Sequence, residues 1–283
     1  MSAPEVLLTG LVIGESARWH DGRLWCSNWG AQEILAVDAS GKREVIARVP
    51  TTLPFSIDWL PDGRLLVVSG PEGLLLRQEE SGELVTHADM SSYGGLNEIV
   101  VDGRGNIYVN GGCDFHPGED QRPGFILLLT PDGAVRRVAD ELAFPNGMVI
   151  TPDNSTLIIA ESFGGVLTAY DIADDGTLSN RRVWAPHPGD GMCIDESGAI
   201  WTPGWTEQGE SACLRIAEGG EILETVPLEH AGFACTLGDG TLYMLTADWH
   251  MQESFDANLD RLLSTPTGRL LTHKTPTPKA GWP

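Results

Sequence analysis

The chain has 283 residues, with 18 basic and 40 acidic side chains and a formal net charge of -22. This excess of negative charge repels nucleic acid and anionic membrane surfaces, so we expect neither as a partner. The sequence has no stretch of about 18 apolar residues that could span a bilayer, and no basic N-terminal region typical of a signal sequence, so we expect a cytoplasmic protein.

A short strand pattern returns six times along the chain. Each copy has an alternating apolar run, a tight turn with Asp, Asn or Gly, and a second short strand. The first large apolar residues of these second strands are Leu24, Leu65, Ile107, Leu157, Ile200 and Leu242, at intervals of 41, 42, 50, 43 and 42 residues. A period in the forties without helical periodicity is typical of propeller blades with four antiparallel strands. We therefore predict an all-β, six-bladed β-propeller with a central metal-binding channel, and a single domain over residues 1–283.

The first blade shows the pattern most clearly. It predicts strands over residues 16–20, 24–27, 34–38 and 43–49, and the dipeptide Asp21-Gly22 predicts a hairpin turn between the first two.

The two ends of the chain are predicted to meet in one blade. We expect residues 5–10 to form the outer strand of the sixth blade, beside a strand over residues 268–276, because this closure removes an open sheet edge. The segment 252–265 is expected to be a loop.

Polar residues recur where each blade begins. Counting back 9 to 11 residues from the six apolar markers reaches Glu15, Ser56, Asn97, Asn146, Asp190 and Gly232. The innermost strand of a propeller blade starts beside the central channel, so these positions are expected to converge at one mouth.

Two carboxylates in a narrow channel need either protonation or a compensating charge, and no Lys or Arg stands at the equivalent positions. Oxygen donors favour a hard divalent ion such as calcium, magnesium or manganese. A polar plug held by hydrogen bonds alone is the alternative.

Aromatic residues lie in the loops that are predicted to open at the same mouth. They are Trp29, Phe163, Trp205 and Trp249, and they would form an apolar wall around the polar positions. The segment 111–124 is the longest of these loops and carries two further candidates for substrate contact, His116 and Arg122. It is either a lid or a passive loop.

Five cysteines form an odd set without C-x-x-C spacing. They are Cys26, Cys113, Cys193, Cys213 and Cys235. Several lie within strand patterns, as small buried hydrophobic residues do, so the set favours a reducing compartment over a disulfide framework.

Four motifs carry a family resemblance. They are Gly14-Glu15-Ser16-Ala17, Asn97 before Val100-Val101-Asp102, Phe144-Pro145-Asn146-Gly147-Met148, and Asp190-Gly191-Met192-Cys193. In this order, and over nearly the whole chain, they resemble the SMP-30/gluconolactonase family, also called the regucalcin family. Its members are six-bladed propellers that bind one divalent metal ion and hydrolyse lactones.

The resemblance implies roles for individual residues. Glu15, Asn146 and Asp190 would be metal ligands, and Asn97 would contact the substrate or a metal-bound water. Asp190 would also accept a proton from the attacking water, so Asp190 and Asn97 are the catalytic candidates. Calcium is the expected ion, with magnesium, manganese, zinc and iron as alternatives, and the partner is a small-molecule substrate.

The sequence departs from the family pattern at two positions. Gly95 stands where sugar-lactone hydrolases of the family often carry an Arg that meets sugar hydroxyls, and Glu98 stands where Asp is common. The departure at Gly95 predicts a preference for a less polar lactone or ester over gluconolactone.

Other functions remain open at this point. A phosphotriesterase of the diisopropylfluorophosphatase type uses a similar channel metal, and a propeller can also bind a small molecule or peptide without catalysis. Strictosidine-synthase-like propellers catalyse a metal-free condensation, but such a reaction does not need the Glu, Asn and Asp set. The sequence contains no G-x-S-x-G, P-loop, H-E-x-x-H or dinucleotide-binding motif.

Overall fold

The structure is a computed structural model that describes residues 3–112 and 122–283. Within these ranges the strands form six sheets, five of four strands and one of five. The sheets are the six blades of a β-propeller, so the predicted all-β, six-bladed fold is confirmed. The metal-binding channel stays a prediction.

The strands are numbered along the chain. They are β1 (Glu5–Leu11), β2 (Gly14–His20), β3 (Arg23–Asn28), β4 (Glu33–Val37), β5 (Arg43–Arg48), β6 (Phe55–Trp59), β7 (Leu65–Ser69), β8 (Leu74–Gln78), β9 (Leu84–Asp89), β10 (Leu96–Val101), β11 (Ile107–Gly111), β12 (Gly124–Leu129), β13 (Val135–Leu142), β14 (Pro145–Ile150), β15 (Thr156–Glu161), β16 (Val166–Ile172), β17 (Leu178–Ala185), β18 (Cys193–Asp195), β19 (Ile200–Trp205), β20 (Ser211–Ile216), β21 (Ile222–Pro227), β22 (Ala231–Gly238), β23 (Thr241–Ala247), β24 (Gly268–Lys274) and β25 (Lys279–Ala280).

Five blades use consecutive strands of the chain. Blade one is β2 to β5, blade two β6 to β9, blade three β10 to β13, blade four β14 to β17, and blade five β18 to β21 with β25 added beside β18. Blade six is β22, β23, β24 and β1, so the N-terminal strand is its outer strand, as predicted. β1 pairs antiparallel with β24, with Glu5 opposite Thr272 and Leu11 opposite Gly268.

The tight turns form for the reason that the sequence indicates. Asp21 and Gly22 have φ values of 49° and 70°, the left-handed pair that a two-residue hairpin requires. The four strands of blade one begin and end within two residues of the predicted bounds.

The expectation of a loop over residues 252–265 is wrong. The helix α1 occupies Phe255–Ser264, and the Ser254 side chain caps it by accepting a hydrogen bond from the Ala257 N–H at 3.2 Å. Leu262 anchors the helix, because its side chain is fully buried. None of the helices in the described ranges is long and apolar enough to cross a membrane.

The described chain divides into two compact units. The first consists of Met1–Pro50 and Asp190–Lys279, and it holds blades one, five and six. One of its hydrophobic clusters packs Leu24 and Leu35 against Leu245. The prediction of a single domain over residues 1–283 stays a prediction.

The second unit consists of Thr51–Gly189 and Ala280–Pro283, and it holds blades two, three and four. One of its hydrophobic clusters packs Val100 and Tyr108 against Ile159.

The cysteines behave as small hydrophobic residues where the structure describes them. Cys26, Cys193, Cys213 and Cys235 are free and buried, and Cys113 lies outside the described residues. Burial raises the pKa of the Cys26 thiol to about 12, so this thiol stays protonated and unreactive at neutral pH. The cellular compartment stays a prediction.

Candidate functional site

The first strands of four blades are interrupted at the positions that the repeat singled out. The register breaks between Glu15 and Arg18 in β2, between Leu96 and Ile99 in β10, between Pro145 and Met148 in β14, and between Gly232 and Ala234 in β22. In each case the first strand has one residue more than its partner. Such bulges redirect side chains and occur often beside active sites.

The two candidate carboxylates lie in the first unit. Glu15 is only 5% exposed, and its Oε2 accepts a hydrogen bond from the Ser16 N–H at 3.3 Å. Asp190 is half-buried and precedes β18. Its Oδ1 accepts from the Gly191 N–H at 3.0 Å, and its own N–H donates to the Thr202 hydroxyl at 3.0 Å. In both residues a neighbouring amide therefore orients one carboxylate oxygen.

Arg18 is a buried residue that the sequence argument missed. It is 4% exposed, and its Nη1 donates to the Ala17 carbonyl at 3.1 Å. Arg18 does not stand at one of the equivalent positions of the repeat, because it lies three residues beyond Glu15 in β2. A charged residue within an alternating strand pattern was the available signal.

The two candidate asparagines lie in the second unit and are each held through the amide nitrogen. Asn97 Nδ2 donates to the Pro145 carbonyl at 3.2 Å, and Asn146 Nδ2 donates to the Ser162 hydroxyl at 3.4 Å. Among residues 3–112 and 122–283, no donor reaches the Oδ1 atom of either side chain. Both amide oxygens therefore remain available as acceptors or cation ligands.

Three buried or half-buried residues position these asparagines. The Ser56 hydroxyl donates to the Asn97 carbonyl at 2.8 Å, which couples β6 to β10. The Asn110 side chain accepts from the Glu98 N–H at 3.2 Å and donates to the Asn146 carbonyl at 2.6 Å, which couples β10 to β14.

Ser162 completes this network, because its hydroxyl donates to the Gly189 carbonyl at 2.7 Å. Asn110 and Ser162 do not occupy the repeated positions, so the spacing could not identify them.

A pocket of about 220 Å³ lies beside Asn97 in the second unit. It is lined by Leu53, Pro54, Gly70, Pro71, Gly95, Leu96, Asn97, Gly111, Gly112 and Phe144. Asn97 carries the polar side chain among these described lining residues. The pocket therefore joins one amide group to an otherwise apolar surface, which is a common form of small-molecule site.

Phe144 connects this pocket to one of the predicted aromatic residues. Its ring lies 4.3 Å from that of Phe163, centroid to centroid, and Phe163 is 46% exposed. Phe144 has a φ of 59°, which is unfavourable for a bulky residue and costs about 1 to 3 kcal/mol. The sequence motif included Phe144, but its left-handed backbone has no signal in the sequence.

The other predicted contact residues have different environments. Trp29 is buried at 8% exposure, and Trp205 is 39% exposed at the end of β19. Trp249 packs edge-on against Phe233 and Phe255.

The last two candidates for substrate contact belong to the segment 111–124. Arg122 is exposed, and His116 lies outside the described residues.

The chemistry of the donor set fits a hard divalent cation. The candidates Glu15, Asn146 and Asp190 offer only oxygen atoms, and the Asn146 oxygen is the end of that amide left without a donor in the described part of the chain. Within residues 3–112 and 122–283, no group of three His, Cys, Asp or Glu side chains could hold a metal ion. The candidate set of Glu15, Asn146 and Asp190 is not such a group, because only two of its three members are of these four residue types.

Comparison with known proteins decides the family. Residues 13–248 match the family described as the SMP-30/Gluconolactonase/LRE-like region. The chain belongs to this family. The resemblance carried by the four sequence motifs is thereby confirmed.

The SMP-30/gluconolactonase relatives of this chain have different named activities. The diisopropyl-fluorophosphatase of Loligo vulgaris is 28% identical in an alignment 200 residues long, which covers 62% of this chain and 64% of that enzyme. The chain thus spans less than two thirds of the Loligo enzyme. The pentonolactonase XacC of Haloferax volcanii is 24% identical over 223 residues, which are 76% of this chain and 72% of the relative.

A solved structure shows the same fold. Regucalcin from Agrobacterium tumefaciens, described as a calcium-binding protein, superposes with a TM-score of 0.75 at 20% sequence identity. The alignment covers 99% of this chain and 95% of regucalcin.

Proposed function

We propose that this protein is a metal-dependent hydrolase that opens a lactone to the corresponding hydroxy acid. The observation that carries the proposal is the local geometry of the asparagines. Each is held through its amide nitrogen on a bulged strand, which leaves its oxygen available. Family membership and the pentonolactonase relative support a lactone as the substrate.

Glu15, Asn146 and Asp190 are the proposed ligands of one divalent ion, and calcium is the proposed ion. Their equivalent positions in the repeat and their oxygen donors support this set. When bound, the ion supplies Lewis acidity that stabilises negative charge on the lactone carbonyl oxygen.

The protein side chains perform the remaining chemistry. Asn97 orients the lactone by donating the second N–H of its Nδ2 group to a lactone oxygen, next to the apolar pocket. Asp190 accepts a proton from a water molecule as the water oxygen bonds to the carbonyl carbon. The bond between that carbon and the ring oxygen then breaks, and the proton passes to the ring oxygen, which leaves as the hydroxyl of the product. Phe163, Trp29, Trp205 and Trp249, together with His116 and Arg122, are the proposed further substrate contacts.

A panel assay tests this proposal. The purified protein should release acid from one or more sugar or aliphatic lactones, and prolonged treatment with a chelator should abolish the release. Added calcium, magnesium, manganese, zinc or iron should restore it, and the best ion identifies the metal. Hydrolysis that persists in protein shown by elemental analysis to be metal-free would contradict the proposal.

A phosphotriesterase is the second candidate, and the similarity to the Loligo enzyme favours it. The same panel should include diisopropyl fluorophosphate, with fluoride release as the readout. A kcat/KM for this fluorophosphate above that of every lactone would assign the site to hydrolysis of phosphotriester-like substrates. Tight binding of a lactone without any turnover would instead identify a ligand-binding protein.

A further inference from the structure

The pocket beside Asn97 has glycines at four of the positions that line it. They are Gly70, Gly95, Gly111 and Gly112. These glycines are not equivalent, because the space around each α-carbon differs. A glycine with space around its α-carbon could carry a side chain, which would change the pocket.

Three of the four must be glycine for steric reasons. A Cβ atom on Gly70 would lie 2.4 Å from the Pro54 carbonyl oxygen, and one on Gly111 would lie 2.2 Å from the Gly95 carbonyl oxygen. Gly112 has a φ of 86°, and a Cβ atom there would lie 2.7 Å from the Phe125 ring. A side chain at any of these positions would displace the backbone or strain it.

Gly95 is the exception. The nearest described heavy atom to a Cβ at this position is the Gly70 carbonyl oxygen, at 3.6 Å, which is an ordinary contact. Gly95 is exposed, whereas the adjacent Leu96 is buried. A side chain at position 95 would therefore fit without moving the backbone, and it would begin beside Gly70, another residue that lines the pocket.

Several backbone groups of the pocket are already paired. The Gly70 carbonyl accepts from the Leu96 N–H at 3.0 Å, the Gly70 N–H donates to Pro54 at 3.1 Å, and the Gly95 carbonyl accepts from the Gly112 N–H at 2.9 Å. A hydroxyl-rich substituent placed here would lose its bonds to water and find few replacements. An apolar substituent makes no hydrogen bonds to water, so it would lose none on entering the pocket.

We propose that this pocket binds an alkyl or aryl substituent of the lactone ring, and that the missing side chain of Gly95 keeps it open. The inference rests on the proposed lactone hydrolysis and specifies its substrate class. The volume of about 220 Å³ is larger than the cavity of about 150 Å³ that holds a benzene molecule. A phenyl group or a short alkyl chain therefore fits, with the ring held at Asn97.

The test is a series of γ-lactones whose alkyl substituent lengthens from none to butyl. In the wild-type protein, kcat/KM should rise about fourfold for each methylene that enters the pocket. In Gly95→Phe, the ratio of kcat/KM for the butyl lactone to that for the unsubstituted lactone should fall at least tenfold. Gly95→Ala should lower this ratio only slightly. Glu218→Phe adds the same ring to an exposed turn and should leave the ratio at its wild-type value.

A binding measurement separates this inference from the proposed function. Calorimetry with the matching alkyl pyrrolidinones, which are not hydrolysed, should show the same preference for longer chains and the same loss in Gly95→Phe. If lactones are hydrolysed but the ratio is equal in wild type and Gly95→Phe, the pocket assignment is overturned and the hydrolase stands. If the pyrrolidinones follow the expected pattern but no lactone is hydrolysed, the pocket stands and the hydrolase fails. Equal binding of all chain lengths by the wild type would overturn the pocket in either case.

Discussion

The first strands of blades two and four have the same place in the repeat but different structures. β6 pairs with β7 in unbroken register from Phe55 to Trp59, and its polar residue, Ser56, is buried and donates to the Asn97 backbone. β14 contains a bulge, and its polar residue, Asn146, keeps an oxygen that no described donor reaches.

This difference separates two roles for polar residues at one repeated position. In a regular strand the polar side chain is used within the protein, where it fixes a neighbouring strand. At a bulge the side chain is redirected away from the ladder and is available to a ligand. Residues at bulges should therefore control activity, and the residue in the regular strand should control stability.

The largest expected effect is at Glu15 and Asp190. Glu15→Ala and Asp190→Ala should each lower kcat/KM by at least about 100-fold, equivalent to roughly 2.7 kcal/mol of barrier, because the carbonyl oxygen loses the charge that stabilises it. Elemental analysis should show less than one metal ion per chain in both. Glu218→Ala, which removes an exposed carboxylate, is the matched control and should retain wild-type metal content and activity.

Asn97→Ala should have the next largest effect. We expect kcat/KM to fall about 10- to 100-fold while the metal content stays at the wild-type value, because Asn97 is assigned to the substrate and not to the metal. If metal is lost to the same degree as in Glu15→Ala, Asn97 is itself a ligand, and its assignment is wrong.

Ser56→Ala should change stability more than activity. The substitution removes the hydrogen bond to the Asn97 carbonyl, which is worth about 1 kcal/mol, and should lower Tm by roughly 2 °C. The value of kcat/KM should change less than threefold. A loss of activity as large as that of Asn97→Ala would remove the distinction between regular and bulged strands.

The smallest expected effect is on the exposed loop after β23. A hydrogen bond from His250 to Glu253 at 2.9 Å, together with the charges of Glu253 and Asp248, raises the pKa of His250 above its ordinary value of 6.5. Because the folded protein favours the protonated form, this stabilisation is present below pH 6.5 and is lost as the pH rises through the folded pKa. NMR titration should show a lower His250 pKa in Glu253→Gln, and an unchanged pKa would contradict the assigned cause.

The sequence predicted the blades well because both of their determinants are local. Alternating apolar residues define strands, and turns such as Asp21-Gly22 define where they end. The helix α1 was missed although its signals were present. Ser254 is a capping residue, and Phe255, Leu259 and Leu262 follow helical spacing.

The site was predictable only in part. The repeat identified the positions of Asn97 and Asn146, because equivalent offsets are visible in a sequence. The pocket was not predictable, since it depends on backbone atoms of Pro54, Gly70 and Gly95 that lie close together only after folding. The sequence shows that Gly95 departs from the family pattern, but it does not show the pocket that lies beside this residue.

The pairing of β1 with β24 has a consequence for biosynthesis. Thr272 and Glu5 are 267 positions apart in sequence, yet they share a hydrogen bond in blade six. On the ribosome, β1 therefore emerges long before its partner β24, and the edge of β1 stays open to other chains until β24 has been made. Contacts of such long range also slow folding. A nascent chain of this protein should need chaperones most at the moment just before blade six is completed.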